Sequence, residues 1–271
     1  MKIAFLGGGN MARAMIGGMI ARGFSAGDIA VVEMLPAARE SLARDYGVHA
    51  SAAPDAATFA ADTLVLAVKP QDMRAAIAPL AGRLGTQLVI SIAAGIRLED
   101  LSRWLGGHTR LVRVMPNTPA LIGQGVAGLY ALPGVSGAER ERAQAILSAV
   151  GATVWVQDEA LIDPVTAVSG SGPAYVFYFI EAMEKAGTEL GLAPEAARTL
   201  AIQTFVGAAR LAAESSEPPS VLRERVTSKG GTTEAALKTF AAEDVAARIG
   251  RGMRAASERG AELGRLLGKD G

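Results

Sequence analysis

Apolar residues come in short unbroken runs through the first 160 or so positions and in helical period thereafter. KIAFL, DIAVV, DTLVLAV, QLVISIA, RLVRVM, GVAGLYAL and TVWV are rich in Val, Ile and Leu, with few polar positions interrupting them. Between them, segments 10–22, 36–46, 71–80, 98–105 and 138–150 carry apolar residues at helical spacing. Continuous runs predict strands buried on both faces, and the helices between them predict a parallel sheet covered on each side. Beyond about position 161 the strand signal stops. PAYVFYFIEAMEKAGTELG, PEAARTLAIQTFVGAARLAAE and DVAARIGRGMRAASERGAEL are rich in Ala, Leu, Glu and Arg, with breakers between them. The pattern predicts an α/β domain over 1–161 followed by an all-α domain over 162–271.

One helix of the second half is more apolar than a small helical domain needs. Segment 193–213 places Leu200, Ala201, Thr204, Phe205, Ala208 and Leu211 on one wide face, which reads as a subunit interface. Composition changes the picture chiefly by exclusion. Lys plus Arg number 27 and so do Asp plus Glu, so the chain has no electrostatic footprint for nucleic acid or an anionic membrane. There is no cysteine, which removes disulfides, thiolate catalysis and thiolate metal sites together. His49 and His108 lack metal-ligand spacing and read as ordinary surface or loop residues, so no metal is expected. LVISIAAGI is far too short to cross a bilayer, and glycines with Asn10 interrupt the first apolar run before a signal peptide could form. A cytoplasmic location is expected.

The chemistry begins at GGGNMA, positions 7–12, where the first strand hands over to the first helix. Strand, G-x-G-x-x-A at Gly7, Gly9 and Ala12, then helix, is the dinucleotide-binding fingerprint of a Rossmann-type domain. Gly7 allows the tight turn, Gly9 lets backbone amides approach a pyrophosphate, and Ala12 lets helix and strand pack closely. The helix start then offers free N–H groups and a partial positive charge to the phosphates. Glu33 ends the second strand, 21 residues past Ala12, where an acid typically bonds the ribose 2′-OH of NAD and repels a 2′-phosphate. The nearest arginine for such a phosphate is Arg39. Glu33 therefore leans the choice between NADH and NADPH towards NADH.

Four further stretches need an account. AVKPQ (67–71), SIAAG (91–95) and MPNTPA (115–120) each close a strand, where ligands bind in parallel α/β sheets. In the helical half, VSGSGPAY (168–175) is followed by VTSKGGTTEAAL (226–237). There Gly230, Gly231, Thr232 and Thr233 precede a helix, and its free amides and hydroxyls suit either a small carboxylate or a plain Thr N-cap.

Together GGGNMA, AVKP, SIAAG, MPNTPA, DPVTAVSGSGPAY and VTSKGGTT, in this order, resemble the pyrroline-5-carboxylate reductase family. The resemblance covers nearly the whole chain, and its C-terminal stretch is the most specific part. It departs at Lys229, where many members have proline, and at Glu33, since many members favour NADPH. It implies reduction of 1-pyrroline-5-carboxylate to L-proline by hydride transfer from NADH or NADPH. It also implies a homo-oligomer, at least a dimer, whose helical halves interlock with the substrate loop at their junction.

The dinucleotide is then expected on Gly7, Gly8, Gly9, Asn10, Met11, Ala12 and Glu33, with Val68, Lys69, Pro70, Ala93, Ala94, Gly95 and Asn117. The substrate is expected on Ser228, Gly230, Gly231, Thr232 and Thr233. Thr233 is the candidate to hydrogen-bond or relay a proton to the imine nitrogen, with Ser171 lining the same site. A cyclic imine becomes electrophilic on protonation, so neither metal nor covalent nucleophile is needed. Three other readings are weighed: a β-hydroxyacid dehydrogenase, whose catalytic lysine would fall at Val176 and so is absent, an imine reductase of another substrate, and a cofactor-binding sensor without turnover, against which the intact substrate loops argue.

Overall fold

A computed structural model of the protein describes residues 1–268; the last three positions of the expected second domain, 269–271, lie outside the described residues. Eight strands form one sheet: β1 (Ile3–Leu6), β2 (Ile29–Val32), β3 (His49–Ser51), β4 (Thr63–Leu66), β5 (Leu88–Ser91), β6 (Leu111–Met115), β7 (Gly125–Ala131) and β8 (Gly151–Trp155). Their order across the sheet is β3-β2-β1-β4-β5-β6-β7-β8. Around it lie α1 (Asn10–Ala21), α2 (Pro36–Tyr46), α3 (Ala56–Phe59), α4 (Met73–Ile77), α5 (Leu98–Trp104), α6 (Gly137–Ser148) and α7 (Ile162–Val165). This is the Rossmann-type arrangement that the continuous apolar runs predict.

Residues of the central strands alternate between two separate apolar cores, which explains why those strands carry no polar face. Ile3, Phe5, Val31, Val65 and Ile90 join Met15, Ile16 and Met19 of α1 and Ile146 of α6 in one core. Ala4, Leu6, Val32, Leu66 and Val89 join Met73 and Ile77 of α4 and Leu98 and Leu101 of α5 in the other.

Three elements differ from the expectation. β7 runs antiparallel to β6, pairing Val112 with Ala131 and Met115 with Gly128. The link between them holds only a 3₁₀ turn, Thr118–Ile122, whereas a parallel return needs about a dozen residues or more. β3 went unpredicted because it is three residues long, polar and only partly buried. The helix expected over 71–80 breaks into a 3₁₀ turn, α4 and a second 3₁₀ turn, Ala78–Leu80. Pro79 sits in that last turn, and its missing N–H and ring stop a helix there. His108 also differs: it lies in a loop but is buried, with its Nε2 2.9 Å from the Gln87 carbonyl oxygen.

The later helices are α8 (Gly172–Glu189), α9 (Pro194–Glu214), α10 (Pro219–Arg225), α11 (Thr232–Ala242) and α12 (Val245–Leu267). The chain divides into two compact units: residues 1–171 with the segment from Ala255 onward, and residues 172–254. The division falls ten positions beyond the boundary at 161 read from the sequence, and the last three turns of α12 join the first unit. Within the second unit, α8 and α9 approach closely at Gly187, where an added Cβ would stand 3.2 Å from the Cβ of Ala197. Little else there is buried: α9 buries only Ala197 and Ala201, and α8 and α11 bury no residue. No described helix is long and apolar enough to cross a membrane.

Candidate active site

The three glycines of the first turn have three different reasons to be glycine. Gly7 has φ +100°, and a Cβ there would lie 2.8 Å from the Ala67 carbonyl oxygen, so the turn closes directly against the end of β4. At Gly8 a Cβ would meet Leu42 Cδ1, while its N–H donates to Glu33 Oε2 at 3.0 Å. A Cβ at Gly9 would meet no protein atom within 4 Å. Packing therefore gives no reason for Gly9, and the space in front of it is open. Gly9 is also the N-cap of α1 and brings no side chain to the amides of Asn10, Met11 and Ala12, nor does the first turn carry an acid. An open cradle at an uncapped helix start fits a phosphate group.

The cradle is braced from behind. Arg13 Nε donates to the Gly8 carbonyl at 3.1 Å, and its other nitrogens reach Ser41 Oγ and the Ala38 carbonyl on α2. Glu33, half-buried at the end of β2, also accepts the Leu35 N–H at 3.0 Å. Arg39 donates through one nitrogen to the carbonyls of Glu33 and Met34, at 2.8 and 2.7 Å. Both carboxylate oxygens of Glu33 thus already hold backbone, each with an acceptor lone pair to spare.

The remaining strand-end residues separate into open and closed ones. Val68 and Pro70 are half-buried and Lys69 is exposed just past β4. After β5, Ala94 is exposed, but Ala93 and Gly95 are buried. Gly95 (φ +76°) lies under α12: a Cβ would stand 3.2 Å from Leu263 Cβ and from Leu267 Cδ1. This cover accounts for its glycine. Asn117 likewise has both ends engaged within the fold. Its Nδ2 donates to the Ser169 carbonyl at 3.2 Å and its Oδ1 accepts the Val126 N–H at 2.9 Å. Ser169 belongs to a π-helical turn, Thr166–Gly170, that ends at half-buried Ser171. Such wide turns recur at functional sites. A Cβ at Gly170 would stand 2.6 Å from Met115 Cε, the end of a flexible side chain.

In the second unit, Ser228 to Thr233 form a tight turn into α11. Gly230 has φ +74°, and Gly231 is the N-cap and brings no side-chain cap. Two of the amides expected to be free are taken: Gly230 N–H donates to Glu234 Oε2 at 2.6 Å, and Gly231 N–H to the Ser228 carbonyl at 3.0 Å. Among the described residues, the amides and hydroxyls of Thr232 and Thr233 find no partner. Thr232 is exposed and Thr233 half-buried. Lys229 is exposed and leaves the turn intact.

Sequence reading missed two features. Gly260, Gly264 and Gly268 recur every fourth residue along α12 and its end, facing the rest of the first unit. Cβ atoms added there would meet Asp163 Oδ1 at 3.3 Å, the Gly95 carbonyl at 3.2 Å and the Asp100 carboxylate. The spacing G-x-x-x-G-x-x-x-G was the available signal. The second is Arg113, only 3% exposed on β6, with Glu159 at 3.1 Å and Asp163 at 3.6 Å. It lies beside a cleft of about 530 Å³, which no residue expected to hold cofactor or substrate lines.

Residues 159–263 match the family model described as pyrroline-5-carboxylate reductase dimerisation, and residues 2–95 match one described as NADP oxidoreductase, coenzyme F420-dependent. Pyrroline-5-carboxylate reductase of Pseudomonas aeruginosa is 48% identical over 99% of this chain and 98% of its own. The Arabidopsis thaliana enzyme of that name is 34% identical over 97% and 95%. Among solved structures, that of the Coxiella burnetii reductase aligns with TM-score 0.93 at 39% identity, covering 97% of this chain and 98% of that one. The Plasmodium falciparum reductase with NADP bound aligns with TM-score 0.85 at 26% identity over the same shares. Glycine turn, π-turn and Gly-Gly-Thr-Thr helix start thus occur together in a chain that belongs to the pyrroline-5-carboxylate reductase family.

Proposed function

We propose that the protein reduces the C=N bond of 1-pyrroline-5-carboxylate to give L-proline, using NADH or NADPH, and works as a homo-oligomer of at least two chains. The observation that carries this reading is a pair of uncapped helix starts: α1 behind the open Gly9 and α11 behind Gly231. The first suits the pyrophosphate, the second a small carboxylate. When bound, the dihydronicotinamide supplies the hydride.

The chain's own task is to hold the imine, orient it and let a proton reach its nitrogen. The Thr232 and Thr233 amides would take the carboxylate. The Thr233 hydroxyl, half-buried and without a partner among the described residues, would donate to the imine nitrogen or relay a proton to it. A hydroxyl is a poor acid, so protonated substrate or water is the proton source. Ser228, Gly230 and Gly231 shape the loop.

We assign the cofactor to the turn from Gly7 to Ala12, to Glu33, and to Val68, Lys69, Pro70 and Ala94 at the strand ends. Asn117 and Gly95 support these elements from within the fold. The Glu33 carboxylate would accept a ribose hydroxyl on its spare lone pairs and repel a 2′-phosphate, which favours NADH. Oligomerisation is supported by the apolar surface of the second unit, where Phe177, Tyr178, Leu200 and Leu211 are each more than half exposed. The test is oxidation of NADH and of NADPH by the purified protein with the pyrroline substrate. Substrate-dependent turnover is expected with at least one of them, and none with either would refute the reading.

A further inference from the structure

Glu234 lies in the first turn of α11, yet it does not hold the amides of that turn. Its carboxylate bends back four residues, where Oε2 accepts the Gly230 N–H at 2.6 Å. Lys238, one turn further along α11, places Nζ 3.2 Å from the other oxygen. Both carboxylate oxygens are therefore held, one by a left-handed glycine and the other by a lysine. Gly230 (φ +74°) is the residue that sets Gly231 at the N-cap. Gly231 is itself tightly fitted, since an added Cβ would lie 2.8 Å from Ser228 Oγ.

The clamp has a consequence for the amides it leaves alone. A carboxylate in the first turn of a helix is drawn to the N–H groups there and to the positive end of the helix dipole. An unrestrained Glu234 would compete for the amides of Thr232 and Thr233. We propose that Glu234 is the positioning residue of the substrate-carboxylate loop: bonded to Gly230 and Lys238, it fixes the Gly-Gly turn and stays clear of the two threonine amides, which remain open to an incoming carboxylate. The inference rests on reading this loop as the substrate site.

Kinetics of the full-length wild type, Glu234→Ala and Glu234→Gln with the pyrroline substrate test it, together with amide hydrogen exchange over 228–233. A lost hydrogen bond to a charged group predicts a KM about tenfold higher in Glu234→Ala, with kcat and cofactor affinity within about twofold. Glutamine keeps an acceptor oxygen for Gly230, so Glu234→Gln should restore KM to within about threefold of wild type. Exchange over 228–233 should quicken in the alanine variant alone. Unchanged KM and exchange in Glu234→Ala, or a glutamine variant as impaired as the alanine one, would overturn the proposal. Should the wild type itself not turn over this substrate, the functional reading fails separately and exchange decides the loop: faster in Glu234→Ala supports the clamp, and unchanged refutes it.

Discussion

The Glu33 carboxylate accepts the amide hydrogen of Gly8 at 3.0 Å, so the acid that ends β2 also pins the glycine turn ahead of α1. A change at Glu33 therefore alters the turn as well as the ribose contact proposed for it. The NADH specificity constant is expected to exceed the NADPH one, and Glu33→Ser should narrow the gap while lowering both, because Gly8 loses its acceptor. Steady-state kinetics with the two cofactors measures this. A wild type that prefers NADPH tenfold, about 1.4 kcal/mol, would remove Glu33 from that role.

Two neighbouring glycines should fail differently. Gly9→Val places its side chain where no protein atom stands, so the fold should survive while dinucleotide affinity falls at least about a hundredfold, roughly 2.7 kcal/mol. Gly7→Ala forces a Cβ against the Ala67 carbonyl at an unfavourable φ, so its melting temperature should drop. Calorimetric binding beside thermal melts distinguishes the two, and NADH affinity unaltered in Gly9→Val would refute the phosphate cradle.

Thr233→Ala should reduce kcat by about a hundredfold, the lower end for loss of a proton-transfer group. Assembly and cofactor affinity should not change, because the Thr233 hydroxyl has no partner among the described residues. A variant with the wild-type rate would leave Thr233 without a catalytic part.

The apolar surface of the second unit is expected to set the oligomeric state. Leu200 and Leu211 are 56% and 67% exposed in the single chain, and each large aliphatic side chain buried on assembly contributes roughly 1.5–3 kcal/mol. Leu200→Asp combined with Leu211→Asp should shift sedimentation from dimer or larger to monomer and abolish turnover. A double variant that stays assembled would place the interface on another face.

His108 gives a stability change near neutrality. Its burial, despite the Gln87 carbonyl beside the ring, holds its pKa below the usual histidine value. The unfolded chain takes up that proton first, so stability should fall as pH drops below about 6.5. Glu139 acts at lower pH. Burial tends to raise its pKa, but bonds from Ser136 and Arg110 outweigh this and lower it. Its contribution is present above the usual carboxylate range and is lost as pH falls through it. His108→Gln should flatten the melting-temperature profile between pH 7 and 5; an unaltered slope would exclude His108.

What could be read in the sequence was what depends on near neighbours. The Gly7–Gly9 turn is a strand, a fingerprint and a helix within 20 residues, and the Gly-Gly-Thr-Thr start is as local. The two-faced burial of β1, β4 and β5 follows from runs that lack a polar alternate. The residues that were less legible take their roles from distant partners. Gly95 resembles a ligand-side glycine until Leu263 and Leu267 are seen above it, and Asn117 a polar loop residue until Val126 and Ser169 take up its amide. The direction of β7 was readable in principle from the shortness of its connection, which the apolar pattern alone does not reveal.

The return of α12 to the first unit makes that unit discontinuous, and this bears on how the chain is made. Residues 1–171 leave the ribosome before the cover over Gly95 and the Leu267 contact with the second core can form. At about 5–20 residues per second, the Gly95 turn waits several seconds or more for its lid. A chain halted after residue 193 would hold every glycine of the nucleotide turn and still leave Gly95 uncovered. A stop codon anywhere before α12 therefore leaves incomplete a unit that lies almost wholly upstream of it.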